Sequence, residues 1–435
     1  MISRLKYLFE LTRLSFWFVP SAIAVGSILS AEALIAVDRK LLSTPLGLFD
    51  NFSADGVRTL LSTSASGIIS LAALVFSTTL VALTLASSQF GPRVLHNFIR
   101  ARSNQITLGV LLGTFLFSLI VLRSARDESL PQISALVAFT LTLVSLGLFI
   151  FFVDRLVRSL QAENVVETVA VRLFERVDEV FPQSESKNTE EAVAEKEREQ
   201  WQELNNEKSV NSDEGGYLQF VDVEKLTRLA ASEECRVRVI IKVGELLLAG
   251  DCLFAYERSG ELSDEAQRRF LNCFIIGRQR TPDQDFEFEI RQLVEIGVRA
   301  LSPGINDPFT AINCIDLLTV ALGRIAEREL SSTEFRDEEG QLRLRLNPTS
   351  FHNLLDAAFL QLRNYGADRP EIVLGLLSAL EQIASKCSDD ARREVVIDMA
   401  VLVAEEADAA DHTKFDRDRI GQRIEEIKTL SAEKQ

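Results

Sequence analysis

Histidine is scarce in this 435-residue chain: the only three are His96, His352 and His412. They are too widely separated for a zinc-type ligand set, which needs several donors at short, defined intervals. Cysteine is nearly as thin. Cys235, Cys252, Cys273, Cys314 and Cys387 show no Cys-x-x-Cys and no pairing rhythm, which suits a reducing compartment. The chain has no Gly-rich loop ahead of a Lys-Ser/Thr pair and no Gly-x-Ser-x-Gly elbow, so phosphate-loop and hydrolase chemistry have no visible seat. Positive charge is short as well. Against 63 acidic residues stand 47 Lys and Arg, a net charge of −16, which excludes a nucleic-acid partner that would require a basic surface. No catalytic constellation, metal site or cofactor is expected.

The chain is instead rich in long apolar runs, nearly all ahead of Phe152, with most of the charge after it. Four runs have membrane length: about 16–37, 65–86, 106–122 and 133–153. A helix rising about 1.5 Å per residue needs roughly 20 apolar residues to cross the hydrocarbon layer, with about 17 as a lower limit. The third run is the shortest. The first is too long for a signal-peptide core and has no small-residue cleavage site after it. Arg4, Lys6, Arg13, Arg93, Arg100, Arg102, Arg155 and Arg158 outnumber Arg39, Lys40, Arg58, Arg123 and Arg126 on the other side, where acids are interspersed. That bias places both termini in the cytoplasm of a bacterial inner-membrane, multi-pass protein.

The second run carries the most information. Ser66, Ser70, Ser77, Thr84 and Ser88 follow one another at steps of four, seven, seven and four, which keeps them on one helical stripe. Such a stripe either packs closely on another helix or lines a polar path. No Asp, Glu, Lys or Arg lies between Ala65 and Ala86, so a path built this way would be only weakly selective. Glu32, the lone acid in the first run, sits near its outer end and reads as snorkelling to the interface.

Beyond the membrane runs, 164–180 reads as a helix with Val165, Val169, Leu173 and Val177 in step, and Pro182 ends it. The Glu-, Lys-, Ser- and Asn-rich stretch 183–214 reads as a flexible linker. Order is expected to resume at Gly215-Gly216. A strand at 217–221, a helix capped by Asp222, an alternating strand at 236–243, strand-like runs to Tyr256 and a helix opened by Ser263 make a small α+β unit. From Thr281 the chain turns helical. Thr281-Pro282-Asp283-Gln284 reads as a capping box with Pro at the first helical position, opening a helix to Leu301. Asn306 or Asp307 caps the next helix, with Pro308 at its first position, and four more follow at 349–364, 370–386, 390–407 and 414–430.

A second candidate region spans residues 278–311. Arg278, Arg280, Arg291 and Arg299 are interleaved with Asp283, Asp285, Glu287 and Glu289. One reading is capping and surface ion pairing. The other is a ligand or anion site made by Arg280, Asp285, Arg291, Arg299, Ser302, Asn306, Asp307 and Thr310, near the free N–H groups at Pro308. Arg291 and Arg299 flank an apolar face, and Asp285 and Asp307 are the expected partners.

Three stretches carry a resemblance. They are Ser15-Phe16-Trp17-Phe18-Val19-Pro20; Ser77-Thr78-Thr79 through Ala86-Ser87-Ser88-Gln89-Phe90-Gly91-Pro92-Arg93; and Arg280-Thr281, Gln284-Asp285, Arg291-Gln292-Leu293 with Arg299-Ala300-Leu301-Ser302-Pro303-Gly304-Ile305-Asn306-Asp307-Pro308-Phe309-Thr310-Ala311. Together they resemble the bacterial predicted membrane proteins grouped as domain of unknown function 2254, over about residues 10–430. The resemblance implies a multi-pass membrane protein with a cytosolic C-terminal domain and implies no reaction.

The expected fold is a membrane all-α four-helix N-terminal domain, then a cytosolic α+β unit and a mostly helical C-terminal region. The expected layout is a basic amphipathic entry (1–14), a transmembrane domain (15–155), a juxtamembrane helix (156–181), a polar linker (182–214), the α+β unit (215–280) and the helical domain (281–435). The expected function is a homo-oligomeric channel or small-solute conduit with a ligand- or partner-sensing cytosolic domain. The alternative is a non-transporting membrane-anchored scaffold or sensor. The expected partners are the lipid bilayer, further copies of the chain, and a small anionic ligand or a cytosolic protein.

Overall fold

A computed structural model describes residues 17–41, 54–91, 102–125, 131–159, 161–181, 207–328, 333–347 and 349–432. The basic entry at 1–14, Arg93 and Arg100 of the second connection, Arg126, and the linker stretch 182–206 lie outside the described residues. The chain divides into two units, Met1–Val165 and Val166–Gln435.

The first unit holds four apolar helices: α1 (Phe18–Leu41), α2 (Ala54–Phe90), α3 (Arg102–Ser124) and α4 (Gln132–Ser159). Each is long and apolar enough to cross a membrane. The 37 residues of α2 extend about 55 Å, well beyond a hydrocarbon layer about 30 Å thick. The shortest apolar run proves to be the central helix. In α3, 56% of the apolar window is buried, against 17%, 22% and 17% in α1, α2 and α4, and α1, α2 and α4 all pack on it.

The cause is a pair of glycines four residues apart. A Cβ on Gly109 would lie 2.8 Å from Ile23 Cδ1 and 3.0 Å from the Pro20 Cα, and one on Gly113 would collide with Ser27 Oγ. Lipid supplies no hydrophobic force between helices, so close backbone approach across small residues holds α1 to α3. Polar contacts tie the unit together elsewhere. Thr114 and Ser145 hydroxyls meet at 3.0 Å between α3 and α4, both buried. Arg58 of α2 donates to the Ala125 carbonyl from Nε and Nη2, at 3.1 Å each, just past the C-terminus of α3. Glu32 accepts a hydrogen bond from Arg123, so it is ion-paired across helices as well as half-exposed.

The second unit begins with α5 (Ala162–Val180), which crosses the boundary between the units. Within the C-terminal unit its residues Val166, Val169, Ala170, Leu173 and Val177 are buried. Order then resumes at Lys208, earlier than Gly215, because β1 (Lys208–Asn211) finds an antiparallel partner in β5 (Cys252–Glu257). Next come β2 (Gly216–Val221), α6 (Val223–Ser232, capped by Asp222), β3 (Arg236–Val239) and β4 (Leu246–Leu247). After β5 come α7 (Asp264–Leu271, capped by Ser263) and β6 (Phe274–Gly277). Two sheets form, ordered β1-β5-β3-β8-β7 and β4-β2-β6. The first is completed from within the region expected to be purely helical. There β7 (Glu334–Arg336) and β8 (Leu342–Arg345) make a hairpin, and β8 pairs in parallel with β3 through Val237 and Leu344.

The rest is a helical bundle: α8 (Glu287–Ala300), α9 (Pro308–Glu327), α10 (Phe351–Gly366), α11 (Pro370–Lys386), α12 (Asp390–Asp408) and α13 (Lys414–Ala432). Asp307 caps α9 as expected, accepting from the Thr310 N–H at 3.1 Å with Pro308 behind it. The capping box at 281–284 does not form. Residues 282–284 make a turn and the helix starts at Glu287, because Gln284 is taken by the strand β2. Its Oε1 accepts from the Val221 N–H at 2.9 Å and its Nε2 donates to the Val221 carbonyl at 3.1 Å. Asp285 takes over at the helix start, accepting from the Glu287 N–H at 3.1 Å. The fifth helix of membrane length and apolarity, α9, buries Ala311, Cys314, Ile315, Leu318, Leu322 and Ile325 among α8, α10 and α11. An all-round apolar helix is also what the centre of a bundle requires.

Candidate functional site

The eight residues proposed for a ligand site fall into two groups at opposite ends of α8. A helix of 14 residues spans about 20 Å, so they do not converge on one point.

The C-terminal group is a turn. Ser302 donates to the Arg299 carbonyl at 2.6 Å and the Asp307 N–H donates to the Ala300 carbonyl at 2.8 Å. Asn306 holds φ 53°, a left-handed conformation that Asn tolerates better than most residues. Thr310 Oγ1 donates to Asp307 Oδ2 at 2.5 Å. Arg299 pairs with Glu295 one turn back, at 3.6 Å, rather than with Asp307. These contacts join two helices.

The N-terminal group is more unusual. Asp285 is 1% exposed and takes two bonds from Arg280, at 2.6 Å from Nε and 2.8 Å from Nη2. Glu287 lies 3.5 Å from Arg280 Nη2 and accepts from Arg291 at 2.9 Å, so Arg291 finds Glu287 and not Asp285. Burial pushes the Asp285 carboxyl above its ordinary range in spite of the Arg280 bonds. Burial alone would lower the Arg280 guanidinium, but Asp285 and Glu287 outweigh it and hold its pKa up. Gly244, at φ +87°, lies directly over the pair. A Cβ there would stand 2.7 Å from Arg280 Nη2 and collide with the Asp285 carboxylate.

Beside this centre opens a cavity of about 370 Å³. Arg280, Glu287 and Arg291 form one wall, Lys242 and Glu245 a second, and Asn353, Asp356 and Gln361 of α10 a third. Its mouth is polar and its cations and anions nearly balance. A small polar ligand carrying both signs of charge fits that lining better than a bare anion, because each guanidinium already faces a carboxylate. Lys242, Gly244, Glu245, Asn353, Asp356 and Gln361 were not expected here. They come from a loop after β3 and from α10, and no local spacing links them to Arg280.

The hydroxyl stripe of α2 faces the other way. Ser66, Ser70, Ser77, Thr84 and Ser88 are all exposed on the single protomer, whereas Ala65, Ile68, Ala72, Val75, Ala82 and Ala86 form the buried stripe. Ser70 donates to the Ser66 carbonyl at 2.9 Å, Thr84 to the Leu80 carbonyl at 2.9 Å and Ser88 to the Leu85 carbonyl at 2.9 Å.

The five cysteines are free. Burial pushes the Cys235, Cys273 and Cys387 thiols up to about 11 and Cys314 to about 12, which leaves no thiolate for nucleophilic work. Among the described residues no group of His, Cys, Asp or Glu could hold a metal ion.

A family model described as "Predicted membrane protein (DUF2254)" matches residues 13–382. Uncharacterized proteins of Mycobacterium bovis and of two Mycobacterium tuberculosis strains are 31% identical over 436 residues, covering 96% of this chain and 81% of theirs. No solved structure matches. The match spans the apolar helices as well as the Arg280–Thr310 region, and the chain belongs to this family of predicted membrane proteins.

Proposed function

We propose that the chain is a membrane-anchored sensor that works as a homo-oligomer. Its C-terminal unit lies in the cytoplasm and takes a small polar ligand in the cavity beside Arg280 and Asp285, and occupancy favours one of two packings of the membrane unit. The observation that carries this reading is the buried Arg280–Asp285 pair with Gly244 laid against it. A charged pair this far from water is costly to assemble, and here it forms the wall of an open polar cavity. Thermal melts of the full chain in lipid nanodiscs, with glutamate, AMP, inorganic phosphate and glycerol as probes, test it. A probe should raise the melting temperature of the parent and not of Arg291→Ala. No stabilisation by any of the four counts against the reading.

The conduit is the second reading, and the outward hydroxyl stripe of α2 favours it. Exposed on one protomer, the stripe would line a shared axis if α2 helices from several copies faced one another. The bonds from Ser70, Thr84 and Ser88 to their own helix also let the stripe face lipid at little cost, which favours the non-conducting sensor.

A further inference from the structure

Glu289 of α8 is 5% exposed, and its Oε2 has no hydrogen-bond partner among the described residues. Arg172 and Arg176 face it from α5, and Asp285 faces it from the turn ahead of α8. Arg176 uses Nη1 on Glu179 at 3.1 Å and Nη2 on the Asp283 carbonyl at 3.3 Å, while its Nε is buried without a hydrogen bond. A buried carboxylate and a guanidinium thus face each other without a bond at Oε2 or Nε.

We propose that Glu289 is a proton-operated latch on α5, which is held against the C-terminal unit while the carboxyl is protonated and loosened when it ionises. The charge balance gives the direction. Burial drives the Glu289 carboxyl up to about 7; Arg176 and Arg172 pull it down without cancelling that rise, and Asp285 adds to it. Loosened into water, the same group returns to the ordinary carboxylate range. The docked state therefore binds the proton more tightly, so docking is strongest at low pH and weakens as pH rises to about 7.

The C-terminal end of α5 is held by groups that do not titrate in this range. Arg328 donates to the Phe181 carbonyl at 2.9 Å and lies 2.7 Å from Asp178, and Arg324 stacks on Phe174. Loosening thus concerns the turns around Arg172 and Arg176. The chain enters α5 from α4, so this is the segment through which the proton would bear on the membrane helices. The latch depends on neither conduction nor ligand sensing.

Hydrogen exchange of the α5 amides, in the full chain in nanodiscs and corrected for intrinsic rates, tests it from pH 5 to pH 8. Protection should fall by up to about tenfold per pH unit as pH rises to about 7, then level off. Glu289→Gln should stay protected throughout. Arg176→Gln should move the levelling point upward, because one attracting charge is gone, and it serves if the Gln variant misfolds. A flat parent profile, a Glu289→Gln profile as steep as the parent's, or a levelling point unmoved in Arg176→Gln would overturn the latch.

Discussion

Asp38, at the C-terminal end of α1, caps the N-terminus of α4. One carboxylate oxygen accepts from the Ser134 N–H at 2.9 Å and from the Ser134 hydroxyl at 2.5 Å, and the other accepts from the Ile133 N–H at 3.1 Å. The first N–H groups of a helix have no partner of their own, and here a residue nearly a hundred positions away supplies one. Asp38 is 6% exposed. Asp38→Ala should lower the stability of the full chain by about 1–3 kcal/mol, because it strips a cap and leaves buried donors unpaired. Thermal or denaturant melts in detergent measure this. Asp38→Asn, which keeps an acceptor, should cost less.

The α1–α3 contact makes a second prediction. Gly113→Leu should disrupt the membrane unit, since even a Cβ there collides with Ser27. Gly147→Leu is the control, because nothing lies within 4 Å of that Cβ. Detergent melts should show a large drop for the first and almost none for the second. Equal drops would mean that the glycine spacing is incidental.

Local signals in the sequence were dependable where they ask for nothing distant. Asp222, Ser263 and Asp307 cap the helices they were expected to cap, and Pro370 opens α11 where expected. The failures share one cause. Gln284 was assigned to its neighbour Thr281 and is instead bonded to Val221, 63 residues back. Leu344 pairs across the sheet with Val237, more than a hundred residues earlier, so β8 looked like part of a helical region. At the site the error ran the other way. Arg291 and Arg299 were given distant carboxylates but take Glu287 and Glu295, each one turn back on the same helix face. The third apolar run looked weak because hydrophobicity measures contact with lipid. The glycines and hydroxyls that reduce it are what a helix packed on its neighbours needs.

Arg280 and Asp285 make a third prediction. Arg280→Ala would leave a carboxyl that is 1% exposed without its partner, a loss of about 3–5 kcal/mol for a buried pair broken on one side. Gly244→Ala should also destabilise, by strain at φ +87° and by displacing the pair. Arg291→Ala, whose side chain is 37% exposed, should cost much less. Thermal melts of the three variants should rank in that way. If Arg280→Ala melts like the parent, the pair holds nothing in place.

The hydroxyl stripe decides between the two functional readings. Ser77→Leu and Thr84→Leu place apolar bulk on an exposed face of α2, so neither should unfold the protomer. If copies of α2 surround an aqueous axis, both variants should cut solute flux in proteoliposomes while leaving the melting temperature within a few degrees of the parent. If the stripe faces lipid, parent and variants should be equally silent, since hydroxyls bonded to their own helix carbonyls neither attract water strongly nor repel acyl chains. Cysteine crosslinking at position 77 separates the remaining case. A dimer band with no flux from the parent would mean that the stripe is a packing seam between subunits, as small and hydroxyl side chains are in other membrane helices. The sensor would then be oligomeric without being a pore.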